Sequence, residues 1–409
     1  MKFKISKKIL KKNFDNIKKS KAFSKSEDNG VILKISALDD TLTLLCSNTG
    51  IWACSVINND MYDDSEFSII KNGDIYIEGS NFINIVNTYP DGVLDFSTEK
   101  EDDGKNRLVL NYQKSNQKKQ SAFLIIATGT LKDNNNFYFD EEPPKEERKE
   151  TIVNTRMLKE ASQSVGFASS TNELEGWMWG VMIEIYSQDD IAAYATDRSR
   201  IAWYDEKGTE RAETPISLKP IYTCLKSILP CFDEEENTKI EYGDNYIILS
   251  QSNQWHGIPN AQEVINSGDK LPEWRNIHNK IKQSVQTEIT LNKEKILNCI
   301  QTASYASCKK HGLRISIDTN KKNIELAVDS TEVGGILRSY HKESFDIEDK
   351  DISGQPFSNN IFMPVDKLKE ALSQYKSDTI KISLIDENSP IIIEGDETES
   401  VHLITTGLE

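Results

Sequence analysis

The sequence lacks every common catalytic signature: there is no G-x-S-x-G nucleophile elbow, no Walker loop, no G-x-G-x-x-G and no H-E-x-x-H. Its five histidines (His256, His278, His311, His341, His402) are scattered, and none stands beside a recognisable nucleophile. The six cysteines fall in spaced pairs (Cys46 and Cys54, Cys224 and Cys231, Cys299 and Cys308) with no C-x-x-C and no histidine at ligand spacing. That pattern excludes the usual zinc sites and reads as reduced core or helix-face thiols, so neither a metal nor a cofactor is expected. No apolar run approaches the ~18 residues needed to span a bilayer. The opening MKFKISKKILKK has no apolar core of the secretory kind, so a cytoplasmic protein with no membrane partner is expected.

What the chain does hold is charge, unevenly placed. Forty-nine Lys and Arg stand against 65 Asp and Glu, a net charge of −16 that argues on its face against nucleic acid. Net charge is an average, however, and its distribution decides more. Ser6 to Lys21 has Ile9, Leu10, Phe14 and Ile17 at helical spacing, and against that apolar stripe stand Lys7, Lys8, Lys11, Lys12, Lys18, Lys19 and Lys21 with the single acid Asp15. Such a face is either an ordinary solvated helix surface or a phosphate-contacting one.

At 409 residues the chain is too long for one core. A helix-strands-helix-strands pattern runs through it three times. First helices are expected at 6–21, 154–167 and 292–307, second helices at 80–89, 218–229 and 364–375, with strand-like alternation between them. Ser80 is the expected cap of its helix, and the acidic, proline-bearing run Phe139 to Lys149 is the expected linker. Units recurring at about 140 residues are too long for a solenoid repeat and long enough for domains with cores of their own. The expected fold class is α+β: three tandem domains, each an antiparallel sheet with two helices, bounded 1–138, 150–283 and 284–409 with a linker at 139–149. Basic residues recur on the helices (Arg156, Lys159, Lys219 and Lys226, then Lys293, Lys295, Lys367, Lys369 and Lys376), while acids collect in turns and linkers. A basic helical layer and acidic loops give a surface fit for a polyanion.

In the middle repeat, Tyr194 to Asp205 (YATDRSRIAWYD) alternates apolar residues on both sides of a polar break, two strands joined by an Asp-Arg-Ser turn with Arg198 and Arg200 at the sheet margin.

With that stretch in view, the chain resembles the bacterial-type DNA sliding clamp, the beta subunit of DNA polymerase III, over essentially its whole length. The resemblance rests on MKFKI and its helix, on NFINIVNTYPDG (Asn81 to Gly92), and on YATDRSRIA (Tyr194 to Ala202) where the family reads A-T-D-x-H-R-L. It rests also on LPEWRNI (Leu271 to Ile277) where the family reads F-P-x-Y, and on HGLRISID (His311 to Asp318). The order of these motifs through three repeats is more specific than any one of them.

The resemblance implies a non-catalytic processivity factor of the bacterial cytoplasm or nucleoid: a head-to-tail homodimeric ring that encircles duplex DNA without reading its sequence and tethers the DNA polymerase and the clamp loader by their clamp-binding peptides. DNA contact would then come from Lys8, Lys12, Lys19, Lys21 and Lys25, with Arg156, Lys219, Lys226 and the aromatic Trp177 in the middle repeat. The partner cleft would take Met178, Thr196, Arg198, Ser199, Arg200, Ile201, Pro272, Asn276 and Ile277, and from the third repeat Pro390, Ile404, Thr405 and Thr406, with Arg200 or the C-terminal backbone holding the polar end of the peptide. Phe123 and Tyr305 would lie at the dimer interface. The sequence departs from the family at Arg198 and Ser199, and its ending HLITTGLE replaces M-P-x-R-L. Such departures would suit a clamp of a phage or mobile element with its own polymerase. Two other readings stay open: a metal-dependent nucleic-acid enzyme using Asp189, Asp190 and Asp197, and a repeated scaffold that binds no DNA.

Overall fold

The computed structural model describes residues 1–24, 31–48, 50–100, 106–112, 120–125, 148–170, 172, 178–205, 214–261, 274–306, 313–331, 338–348, 351–386, 388–395 and 400–404. Among them are seven helices: α1 (Lys7–Lys18), α2 (Gly79–Thr88), α3 (Thr155–Gly166), α4 (Tyr222–Ile228), α5 (Trp274–Ser284), α6 (Lys293–Ala306) and α7 (Val365–Leu372). None is long and apolar enough to cross a membrane. Six lie where the periodicity predicts them. The chain packs as two compact units, Met1–Thr155 with Thr223–Asn260, and Arg156–Tyr222 with Ala261–Glu409.

The first unit holds two antiparallel sheets. Five strands run in the order Phe67–Lys71, Lys2–Ser6, Val93–Lys100, Asn106–Tyr112 and Gln120–Ile125. Lys2–Ser6 shows why it is a strand: Phe3 and Ile5 are buried while Lys4 between them is exposed, and Phe3 stacks on Phe96 across the ladder at 4.9 Å. Eight strands form the second sheet, in the order Lys149–Asn154, Asn237–Tyr242, Tyr246–Gln251, Gln254–Pro259, Ile51–Asn58, Thr41–Asn48, Ile32–Leu38 and Gly73–Glu78. Its first four strands come from the second repeat and its last four from the first, joined where Trp255 faces Cys54. Phe14 of α1 and Phe82 of α2 sit in one core with Leu94 and Phe96 from the five-stranded sheet and Leu33, Leu42 and Leu44 from the eight-stranded one.

The second unit follows the same plan. Nine strands run in the order Ile216–Leu218, Met182–Ser187, Asp190–Thr196, Arg200–Asp205, Ser400–Ile404, Ile391–Gly395, Thr379–Leu384, Thr287–Asn292 and Ile352–Gly354. Four more run in the order Arg338–Asp346, Asn323–Thr331, Leu313–Asp318 and Ser358–Met363. The predicted Asp-Arg-Ser hairpin therefore forms, and its second strand pairs with the C-terminal strand, Ile201 facing Leu403 and Arg200 facing Ile404. Ile296 and Ile300 of α6 and Leu368 and Leu372 of α7 share a core with strands of both sheets.

Three details differ from the sequence reading. Each repeat's strands are divided between two sheets rather than gathered in one, because period-2 alternation reports which face is buried and not which neighbour a strand takes. The cap of α2 is Glu78, whose carboxylate accepts from the Asn81 amide at 2.5 Å, while Ser80 lies inside the first turn. α5 is an addition to the predicted helices, although Trp274, Ile277 and Ile281 stand at helical spacing. The linker at 139–149 falls outside the described residues up to 147, and Lys149 already begins a strand. Cys46, Cys54, Cys224 and Cys231 are free and buried, and Cys299 is free and half-buried.

Candidate functional site

The basic face of α1 is set by what lies beneath it. Ile9, Leu10, Phe14 and Ile17 turn inward, and Asn13 is buried with them. The Asn13 side-chain amide donates to the Ile9 carbonyl at 2.9 Å, and its oxygen accepts from Ser55 Oγ at 2.7 Å and Asn253 Nδ2 at 3.0 Å. A buried amide satisfied at both ends fixes the rotation of its helix. The outer face then presents Lys8, Lys11, Lys12, Lys18 and Lys19, with Lys21 exposed just beyond and Asp15 the one acid among them. Lys7 Nζ donates to the carbonyls of Asn87, at 3.1 Å, and Tyr89, placing a cation on the negative end of α2. Ser6, Lys7, Lys8, Lys11, Lys12, Asp15, Asp91 and Gly92 line a surface depression of about 590 Å³. Four lysines and two aspartates thus line one open depression, basic on balance and large enough to take phosphate oxygens.

The middle repeat supplies fewer outward cations than its sequence suggests. Arg156 in the first turn of α3 and Lys226 in α4 are exposed. Lys219 is not: it is 1% exposed, and burial pushes its ammonium down to about 8. A group so enclosed does not reach a phosphate, which removes Lys219 from the DNA-contact set. The sequence misled because an isolated lysine reads as surface. Of the third repeat's helix lysines, Lys293 Nζ donates to the Tyr375 carbonyl at 2.7 Å and Lys376 pairs with Glu160 at 2.8 Å. Lys25 and Trp177 lie outside the described residues.

At the Asp-Arg-Ser turn, Asp197 organises the backbone. Its Oδ1 accepts from the amides of Ser199 at 3.1 Å and Arg200 at 3.2 Å and from Ser199 Oγ at 2.7 Å, the usual device of an Asp-led turn. Thr196 Oγ1 closes the hairpin by donating to the Arg200 carbonyl at 2.8 Å. Arg198, at φ +72°, occupies the left-handed corner and projects into solvent.

Arg200 is not the free hook that the resemblance implies. Its side chain is 7% exposed and fully engaged within the protein. Nε donates to Asp197 Oδ2 at 3.1 Å, Nη2 to the Phe167 carbonyl at 2.5 Å, and Nη1 lies 2.7 Å from Glu370 Oε2 and 3.4 Å from the Lys367 carbonyl. The guanidinium also lies over the Phe167 ring at 4.9 Å. Lys367 Nζ pairs with Asp197 Oδ2 at 3.2 Å and donates to Ser199 Oγ. The turn is thus fastened to α7 by two ion pairs. Phe167, Lys367 and Glu370 belong to this site, and the sequence reading missed them. Lys367 and Glu370, one turn apart, were legible as one helix face but not as partners of a turn far away in the chain.

Past the turn, Ile201 and Ile277 pack against one apolar cluster. Met182, Tyr194, Trp203, Trp274 and Ile392 form its buried part, with Trp203 and Trp274 stacked at 5.4 Å. The α5 helix is held over this face by Arg275, which pairs with Glu184 at 3.1 Å and Asp205 at 3.3 Å and lies over the Trp274 ring. It is held also by Lys282, 2.9 Å from Glu394. Burial would raise the Glu394 carboxyl, but the hydrogen bond from Lys282 and the charges of Lys282, Lys381 and His278 outweigh it and hold the group below its ordinary value. Asn276 is exposed, Pro390 is half-buried beside Ile391, and Ile391 faces Ile404 across the ladder. Met178 is buried, its carbonyl accepting from the Ser170 amide. Pro272, Thr405 and Thr406, with the side chain of Ile404, lie outside the described residues. Among the described residues no group of three His, Cys, Asp or Glu is placed to hold a metal, and Asp197 carries two cationic partners.

No family model matches the chain. The beta sliding clamp of Streptococcus pneumoniae is 23% identical over 379 residues, covering 91% of this chain and 90% of that one. Among solved structures, the DNA polymerase sliding clamp of Bacillus subtilis is matched with a TM-score of 0.78 at 20% identity, over 100% of this chain and 99% of that one. The beta subunit of the Streptococcus pyogenes DNA polymerase is matched with a TM-score of 0.76 at 20% identity, over the full length of both. This is the bacterial sliding-clamp fold. The α1 face and the Asp197–Ile201 turn are the chain's two candidate sites.

Proposed function

We propose that the protein is a non-catalytic DNA sliding clamp of the cytoplasm: two three-domain subunits, divided near 138–150 and 283–284, close head to tail around duplex DNA and tether a polymerase and a clamp loader through peptides. The observation that carries this reading is the match to sliding clamps, over 91% of the chain by sequence and 100% of it by fold. The lysine face of α1 in a protein of net charge −16 supports it. An acidic exterior discourages static binding from outside, and exposed lysines make the nonspecific, salt-sensitive phosphate contacts that permit sliding. Lys8, Lys12, Lys19 and Lys21, with Arg156 and Lys226, are the proposed DNA contacts, and the Asp197–Ile201 turn with Asn276, Ile277 and Pro390 is the proposed partner cleft.

Dimerisation has a structural rationale of its own. The five-stranded sheet ends at Gln120–Ile125, the strand that contains Phe123, and the four-stranded sheet ends at Arg338–Asp346, beside α6, the helix that contains Tyr305. Among the described residues these are open sheet edges, and an open edge is a template for pairing with another chain. Light scattering is expected to give twice the 46.4 kDa chain mass. Phe123→Asp combined with Tyr305→Asp is expected to give a folded monomer. An unchanged dimer would remove the two residues from the interface, and an unfolded protein would place them in the core.

A further inference from the structure

The ion pair between Arg200 and Glu370 is lopsided. The arginine side chain is 7% exposed and the glutamate side chain 54% exposed. Asp197 and the carbonyls of Phe167 and Lys367, which are Arg200's other acceptors, are fixed in a turn or in backbone. Glu370 alone is a solvent-facing side chain on a flexible stem. A buried guanidinium strongly resists losing an anionic partner, but exchanging one carboxylate for another keeps the same charge-assisted bonds and costs little.

From this geometry we infer that Glu370 is an internal substitute for a partner's carboxylate, and that the occupant of the cleft is a peptide with an acidic group at its polar end, which displaces Glu370 from Arg200 Nη1. The inference rests on the proposed cleft. Charge favours it: once Glu370 swings away, Arg200 and Lys367 share the single acid Asp197, and Arg198 stands exposed beside them, leaving the turn cationic. A neutral amide is the weaker acceptor and does not displace Glu370 from the guanidinium, so a glutamine in the same place forgoes the ionic bond and the site discriminates against it.

Two synthetic peptides test this, one with glutamine followed by spaced leucines and an aromatic residue, the other identical but with glutamate leading. Calorimetry on the wild-type dimer is expected to show the glutamate peptide binding about tenfold tighter. Glu370→Gln removes the internal competitor from an exposed position. It is expected to tighten the glutamate peptide a further several-fold and to leave the glutamine peptide within about twofold. Equal affinities for the two peptides, or an equal gain for both in Glu370→Gln, would overturn the exchange while leaving the cleft in place. If neither peptide binds the wild type or the variant, or if Ile201→Trp binds them unchanged, the cleft itself is misplaced and the exchange falls with it.

Discussion

Replacing Lys8, Lys12 and Lys19 together with alanine is expected to lower the slope of log K for DNA against log salt by roughly 2 to 3 units, at about 0.9 for each phosphate no longer neutralised. Between about 50 and 200 mM salt, the fall in affinity would then shrink by roughly 15- to 60-fold relative to wild type. The effect is separable from folding. All three side chains are exposed, Lys8 and Lys12 on α1 and Lys19 at its C-cap, the helix is held from below by Phe14, Ile17 and Asn13, and alanine is the residue a helix tolerates best. Unfolding midpoints should therefore coincide with wild type while the DNA slope changes. An unaltered slope would place this face away from the DNA, and the groove walled by Lys7, Lys8, Lys11 and Lys12 would need another occupant.

Arg200→Met is expected to destabilise the unit that contains it by about 3 to 5 kcal/mol, the range seen when one member of a buried ion pair is removed. Methionine fills much of the volume but offers no donor, so Asp197 keeps only Lys367 as a cationic partner and the carbonyl of Phe167 loses its donor. Glu370→Gln breaks the exposed member of the same network and should cost under about 1 kcal/mol. Denaturant midpoints of the two variants measure the contrast. If both cost the same small amount, the turn is held by strand pairing alone and the ion pairs to α7 contribute nothing.

Much of the architecture was written in local pattern. Ile9, Leu10, Phe14 and Ile17 announce α1 and its buried side, and the alternation through Ile191, Ala193 and Ala195 announces the hairpin strand. Pairing over long distances is where local pattern gave out. Nothing in RIAWYD says that its neighbour is SVHLI, almost two hundred residues on, because an alternating strand offers the same edge to any partner. The sites divide in the same way. Lysines on α1 were legible because a charged face opposite an apolar stripe is a property of one helix. Arg200 and Lys219 were misjudged because their burial is decided by segments distant in sequence, α7 and Phe167 around Arg200 and the backbone at Gly180 beside the Lys219 side chain. α5 was less legible because only three apolar residues, Trp274, Ile277 and Ile281, mark its buried side in an otherwise polar segment.

The central claim is that the protein holds DNA by enclosing it, and topology tests that most directly. The protein, loaded on nicked circular plasmid by the clamp loader of the same cell with ATP, is passed over a gel-filtration column at a salt concentration that removes ordinary DNA binders. Co-elution with the circle, and loss of the protein once a restriction enzyme opens the plasmid, is the predicted result. Protein that stays on the DNA after linearisation, or that never co-elutes with the circle, would contradict it.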